Sequence, residues 1–151
     1  MSEPYEVKLL AGLKAAVQNI RIANGFASDI GKNVFLSDEK LDIEDAKEAF
    51  VNIHDGEEQP ISQDFAHRQC ELMVDFEIAI PGDRPEVRTL ARQALADLRQ
   101  ALLQAYPNIA PAPVNMRILD RQLPHLAAGS GWQLAVQRVA FQMLDNIPLP
   151  T

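Results

Sequence analysis

A single cysteine, Cys70, stands in 151 residues, so no disulfide can form within the chain. No run of 18 apolar residues exists, which leaves no candidate for a membrane-spanning helix. Aromatic residues make up only 6%. Trp132 alone lies near the arginines of the last third, so the stacking platform of a single-strand nucleic-acid binder is missing. A phosphate-binding glycine loop, a paired CxxC and an HExxH are all absent. Gly129-Ser130-Gly131 precedes a predicted strand and so cannot present a helix N-terminus to a phosphate. It also lacks the G-x-S-x-G spacing of a nucleophile elbow. The opening MSEPYEVKLL carries neither the basic region nor the cleavage site of a signal peptide, which sets the expectation of an intracellular protein.

What is present is a globular composition, 47% hydrophobic, on a length that suits one domain with one core over residues 1–151. The net charge is −7, from 14 basic and 21 acidic residues. That balance makes the chain a poor general binder of nucleic-acid phosphates. The charge is unevenly spread. Residues 1–33 carry +1, residues 34–83 carry −11, and residues 84–151 carry +3 with arginine as the only cation. Such a pattern reads either as a solvated acidic region or as a polarised subunit that meets copies of itself, acidic patch to basic patch.

Apolar spacing of three and four at Leu9, Leu10, Leu13, Ala16, Val17 and Ile20 predicts a helix over 5–24, with Gly25 as its left-handed stop. Val34–Leu36 predicts a short strand. An acidic loop follows over about 37–49, with room for a helical turn at 43–49. Phe50–His54 predicts a strand ended by an Asp55-Gly56 turn, with EEQPISQD continuing as loop. Strict alternation over 66–80 puts Cys70, Leu72, Val74, Phe76, Ile78 and Ile80 on one face and Glu71, Asp75 and Glu77 on the other. Cys70 therefore reads as a small buried hydrophobe. A second amphipathic helix is predicted over 85–106, with Asp83 as a possible cap, Pro85 in the first turn and Pro107 closing it. Strands follow at 114–118 and 132–144. Leu134 and Val136 share one parity and Val139, Phe141 and Met143 the other, which predicts a bulge near Gln137. Residues 146–151 should form a loose tail. The order predicts an α+β fold: a mostly antiparallel four- to five-stranded sheet packed against two amphipathic helices.

Candidate chemistry is sparse. An EF-hand loop starting at Asp38 would need an acid third and a glycine sixth, where Lys40 and Ile43 stand. His54, Asp55, Glu57 and Glu58 could be drawn as the centre of a small metal-dependent hydrolase, but adjacent strand residues point to opposite faces. His67 and His125 have no Cys or His at ligand spacing, and nothing in the spacing unites Ser130, His125 and Asp120 as a triad. The expectation is no enzyme: no catalytic residue, no cofactor and no metal. A generic adaptor that binds another protein through a sheet edge is a further alternative.

One family pattern runs along the chain. The first helix leads into RIANGFASDIGKNVF, then an acidic loop, FVNIHDGEE, the strand ELMVDFEIAI, a helix containing LARQALADLRQALL, and a closing strand after GSGW. This order over residues 6–145 resembles the tail-completion proteins of tailed bacteriophages and prophages, most of all the lambda-like tail terminators. The likeness is carried by Asn24-Gly25-Phe26 through Val34-Phe35 and by Asp55-Gly56-Glu57. The resemblance implies a non-enzymatic α+β minor tail protein that assembles as a hexameric ring. Such a ring caps the tail tube and supports head–tail joining. Its partners would be copies of itself, the tail tube protein and a head-completion or neck protein, with no membrane and no sequence-specific nucleic acid. Assembly would take place in the host bacterial cytoplasm, and the product would reside in the virion tail or neck. A ring needs two different patches on each subunit. Asp38, Glu39, Asp42, Glu44 and Asp45 are the acidic interface candidates, and Arg88, Arg92, Arg117 and Arg121 the basic ones.

Overall fold

The structure, a computed structural model, describes residues 5–39, 41–42, 45–63, 67–82, 85–109, 113, 115–124 and 130–146. In chain order these form α1 (Tyr5–Gln18), β1 (Val34–Leu36), β2 (Phe50–Gln63), β3 (His67–Pro81), α2 (Glu86–Ala105), β4 (Asn115–Gln122) and β5 (Trp132–Asn146). The strands make one sheet in the order β1-β2-β3-β5-β4. β1 runs parallel to β2, and every other pair is antiparallel. This is the α+β fold that the alternation and the two helical stripes predict. None of the described helices is long and apolar enough to cross a membrane.

The core follows from the two periodicities. Leu72, Val74, Phe76 and Ile78 of β3 and Val139 and Phe141 of β5 line one face of the sheet. Leu9, Leu13 and Val17 of α1 and Ala91, Leu95, Leu98 and Leu102 of α2 pack onto them. Each such large side chain contributes roughly 1.5–3 kcal/mol through burial. α1 packs toward β1, whereas α2 lies over β3 and β5. Cys70 is fully buried, as its place in the alternation indicates.

α1 ends sooner than its apolar spacing predicts. The chain leaves it at Gln18, makes a 3-10 turn over Ile22–Asn24, and reverses at Gly25 with φ +93°. The segment then returns across the helix end, where the Gly31 N–H donates to the Ile20 carbonyl at 3.0 Å. A Cβ at Gly31 would stand 2.5 Å from the Val17 carbonyl oxygen and 2.7 Å from those of Gln18 and Ile20. Only a residue without a side chain fits this backbone-to-backbone contact.

Two strand expectations need correction. The Asp55-Gly56 turn does not form, and β2 runs on to Gln63. β3 is long enough to offer a ladder over that whole length, and the misfit is absorbed by register shifts between Asp55 and Glu58 and between Pro60 and Ser62. Gly56 lies in the first shift, where a Cβ would stand 3.2 Å from the Met73 carbonyl oxygen. Pro60 is tolerated because β1 covers only Val51–Ile53, leaving this part of β2 at the sheet edge. The bulge expected near Gln137 is not in β5, which pairs with β3 without a shift from Trp132 to Asn146. It is in β4, between Ile118 and Arg121. Gln137 holds the helix-facing parity along with Val139 and Phe141. The change in apolar parity is a buried polar residue, not a change of face.

Smaller differences lie at the element ends. Within the expected helical turn at 43–49, Asp45 is in a 3-10 turn whose N–H donates to the Asp42 carbonyl at 3.0 Å, residues 46–49 are not helical, and 43–44 lie outside the described residues. Asn146 belongs to β5 and pairs with His67, while 147–151 lie outside the described residues, as do Asp83 and Val114.

Candidate assembly surface

The acidic connection begins where β1 passes into a 3-10 turn over Ser37–Glu39. Its course is set by two asparagines. The Asn52 side chain, fully buried, donates to the Leu41 carbonyl at 3.1 Å and accepts the Leu41 N–H at 3.3 Å. Asn33 Nδ2 donates to the Ala49 carbonyl at 3.2 Å and to Glu48 Oε2 at 3.3 Å. Asn52 pairs with Glu77, on the opposite face from Val51 and Ile53. The connection therefore starts across the face that the helices leave free, at the β1–β2 side of the sheet.

The acidic candidates divide by use. Glu39 forms an ion pair with Lys14 of α1 and accepts the Leu36 N–H at 2.9 Å. The Lys14 hydrogen bond, followed by that from Leu36, holds the Glu39 carboxyl below its ordinary value. The stabilisation is therefore present above the ordinary carboxylate range and is lost as pH falls through the lowered value. We expect Glu39→Gln to cost stability at neutral pH and to match the native chain in acid, in urea titrations across pH. A difference that persists unchanged in acid would refute the pairing. Asp38, Asp42 and Asp45 are exposed and make no side-chain hydrogen bond or ion pair with the other described residues. Glu44 lies outside the described residues.

The basic candidates divide likewise. Arg117 of β4 donates from Nη2 to both Glu71 carboxylate oxygens at 2.8 Å. Arg88 donates to the Leu123 and Pro124 carbonyls at 3.3 and 3.4 Å, tying α2 to the chain after β4. Arg92 and Arg121 are exposed and have no ion-pair partner among the described residues. Arg138, not among the candidates, pairs with Asp75 at 3.0 Å, and that hydrogen bond raises its pKa. With Arg117–Glu71, it forms a ladder of cross-strand charge pairs on the free face.

Position matters more than pairing for assembly. β1 and β4 are the two edges of the sheet. Four inter-strand steps separate them by about 19 Å. The segment that carries Asp38, Asp42 and Asp45 leaves β1 and passes over the free face beside β2, whereas β4 carries Arg117, Asp120 and Arg121.

The His54 cluster does not converge. His54 pairs with Asp75 in register and Asp55 with Val74, which places them on opposite faces. His54 Nε2 lies 3.9 Å from Glu77, while Asp55 accepts the Ser37 hydroxyl at 2.7 Å. Among the described residues, no three His, Cys, Asp or Glu side chains gather as a metal-holding group. The Ser130 hydroxyl is bonded to the Trp132 carbonyl at 3.2 Å, and His125 lies outside the described residues.

Several organising residues escape a reading by segment. Asp97, 5% exposed, accepts the Ala27 N–H at 3.1 Å and the Ser28 hydroxyl at 2.6 Å, pinning the loop before β1 to α2. The available signal was a lone carboxylate beside Ala94, Leu98 and Ala101 in an apolar stripe. Asn52 and Gln137 give the same signal in strands: a polar side chain on a buried position needs a partner.

No family model matches this chain, and no curated protein matches it. Among solved structures, the type 4 fimbrial biogenesis protein PilO from Pseudomonas aeruginosa is 11% identical, with 96% of this chain and 73% of that chain covered at a TM-score of 0.35. A second solved structure, of a protein without a descriptive name, is 17% identical. It covers 94% of this chain and 98% of that chain at a TM-score of 0.42. Likenesses at this level carry no functional argument.

Proposed function

We propose that this chain is a structural tail-completion subunit of a tailed phage or prophage, of the tail-terminator type, acting as a hexameric ring. The single structural observation that supports this reading is that exposed carboxylates follow β1 while Arg121 stands exposed on β4, at the opposite side of the sheet. A ring is built from a heterologous contact, in which one patch meets a different patch on the next copy. Exposed Asp38, Asp42 and Asp45 after β1 and Arg121 on β4 supply such a pair, with Arg92 on α2 as a further exposed cation without an ion-pair partner among the described residues. Glu39, Arg88 and Arg117 serve inside the subunit. The resemblance of the sequence to the terminator family suggests the biological setting. The ring would cap the tail tube and join a head-completion or neck protein, in the host bacterial cytoplasm and then in the virion. No catalytic residue is assigned.

Charge reversal by Asp42→Lys with Asp45→Lys should weaken self-association roughly tenfold, which is about 1.4 kcal/mol. The loss should shrink in high salt because the charges are exposed. The monomer should keep its circular dichroism. Sedimentation showing equal association of variant and native chains at low salt would sink the charge-edge account. The tail-completion role is tested separately, by electron microscopy of the protein mixed with its own tail tubes. Rings at tube ends are expected, and tubes whose ends stay bare count against it.

A further inference from the structure

β1 covers only part of β2. Its three residues pair with Val51–Ile53, and Ser37 closes that edge by accepting the Asp55 N–H at 3.3 Å. Beyond it, Gly56–Ile61 of β2 is exposed, and no described strand pairs with its outer side. β4 is the opposite edge of the sheet, likewise without a further strand among the described residues. An open edge is a row of backbone donors and acceptors ready for another strand.

The two open edges match in direction, level and charge. β2, β3, β5 and β4 alternate in direction, so β2 and β4 run antiparallel. Copies that continue one sheet keep the same orientation, so β4 of one meets β2 of the next in the more stable, antiparallel manner. The registers across the sheet fix the level. Asn115 pairs with Gln142, Gln142 with Glu71, and Glu71 with Gln59. Ile118 leads in the same way through Val139 and Val74 to Asp55. The regular part of β4 thus stands level with the open part of β2. Arg121, past the β4 bulge, is level with Ile53, where β1 covers β2. A bulge bends its strand, and this one does so where β1 would otherwise obstruct the approach. Asp55, Glu57 and Glu58 make the β2 edge acidic, whereas β4 carries Arg117, Asp120 and Arg121. Two β2 edges would set like charges against each other, but a β2 edge and a β4 edge bring Arg117 level with Gly56-Glu57.

We propose that Asn115–Ile118 of one copy pairs antiparallel with Asp55–Gln59 of the next, continuing the sheet from copy to copy. Arg117 binds Glu71 through Nη2, and a guanidinium has donors on two further nitrogens for Glu57 of the next copy. Arg121 comes toward the Ser37–Glu39 turn, which carries Asp38. Backbone pairing joins the copies, and the charges select unlike edges and set the register. The contact is heterologous and closes where the rotation permits. The inference rests on the self-association in the proposed function and not on its tail setting.

The test is paired cysteine cross-linking with Gln59→Cys and Asn115→Cys. Both positions are exposed, and both lie on the free face of the sheet. Within one chain they stand three inter-strand steps apart, about 14 Å, beyond the reach of a disulfide. The native Cys70 is fully buried and contributes little background. The variants are purified separately, mixed at the highest soluble concentration and oxidised with copper phenanthroline. The mixture should give roughly tenfold more disulfide-linked dimer than either variant alone, because only unlike edges come within bridging distance. The Gln59→Cys/Asn115→Cys double variant should give a ladder of covalent oligomers. Amide exchange of the native chain should slow at 56–59 and 115–118 on going from dilute to concentrated solution. Tail tubes enter none of these readouts, so bare tube ends would count against the tail-completion reading and leave edge pairing standing. Dimer as abundant in either single variant as in the mixture overturns the proposal, since like edges would then be meeting. So does a mixture without cross-linked dimer, or association that leaves exchange at both edges unchanged.

Discussion

Gly31→Ala is expected to lower the unfolding free energy by about 3 kcal/mol, at the upper end of overpacking costs. The added Cβ would sit 2.5–2.7 Å from the carbonyl oxygens of Val17, Gln18 and Ile20. All three are backbone atoms near the end of α1, so no side-chain rotation relieves the clash. Either the loop lifts from the helix or the helix end unwinds. In both cases the Gly31 N–H loses the Ile20 carbonyl, and the nearby buried side chains Ile30 and Val34 are disturbed. Urea denaturation measures the loss directly. A change below about 1 kcal/mol would show that the helix end yields freely, contrary to the packing described. Gly25→Ala is the instructive comparison. It has open space around its Cβ position but a φ of +93°, so its cost should come from backbone conformation alone and be smaller.

The second large effect is expected from Gln137→Met, a substitution of similar size that removes only polar atoms. The Gln137 side chain is fully buried, accepts from Arg99 Nε at 2.9 Å, and donates to the Leu119 and Asp120 carbonyls at 2.9 and 3.2 Å. Those two carbonyls lie in the bulge of β4, where the ladder to β5 is interrupted. Gln137 thus supplies the donor that the bulge takes from the backbone, and it holds a guanidinium reaching down from α2. Methionine would leave a charged donor and two carbonyls short of partners, at a combined cost of about 3 kcal/mol. Amide hydrogen exchange should show faster opening of β4 with β3 little changed. Gln142→Met, on the opposite face of the same strand, should stay within about 0.5 kcal/mol. Equal effects at the two positions would contradict this account.

How much was legible in the sequence depends on the range of the interaction that decides each feature. The alternation from Cys70 to Ile80 placed β3 and its buried face almost to the residue. The apolar stripe from Val87 to Leu102 placed α2. Both are local periodicities that each segment carries by itself. Asp55-Gly56 is also a local signal, for a turn, yet the long neighbour β3 overrode it and drew β2 on to Gln63. The reading of Gln137 failed for a related reason. Parity alone cannot distinguish a bulged strand from a straight strand with one buried amide, because the amide's partners come from Leu119, Asp120 and Arg99, all distant in sequence. The same holds for the interface candidates. Net charge by segment identified Asp38, Asp42 and Asp45, but Glu39 is bound to Lys14, Arg117 to Glu71, and Arg88 to the chain after β4.

By itself, then, the sequence determined the fold class, the two helices, the core faces of the long strands and the confinement of acidity to the middle of the chain. These follow from spacing and charge, which need no partner to be defined. The tertiary structure alone decided which charges are paired within the subunit, that Asp38, Asp42 and Asp45 after β1 and Arg121 on β4 have no ion-pair partner among the described residues, and that an apolar cleft opens beside α2. Those properties exist only once segments far apart in the chain are brought into contact. The contact consumes some groups in pairs and leaves the others facing outward.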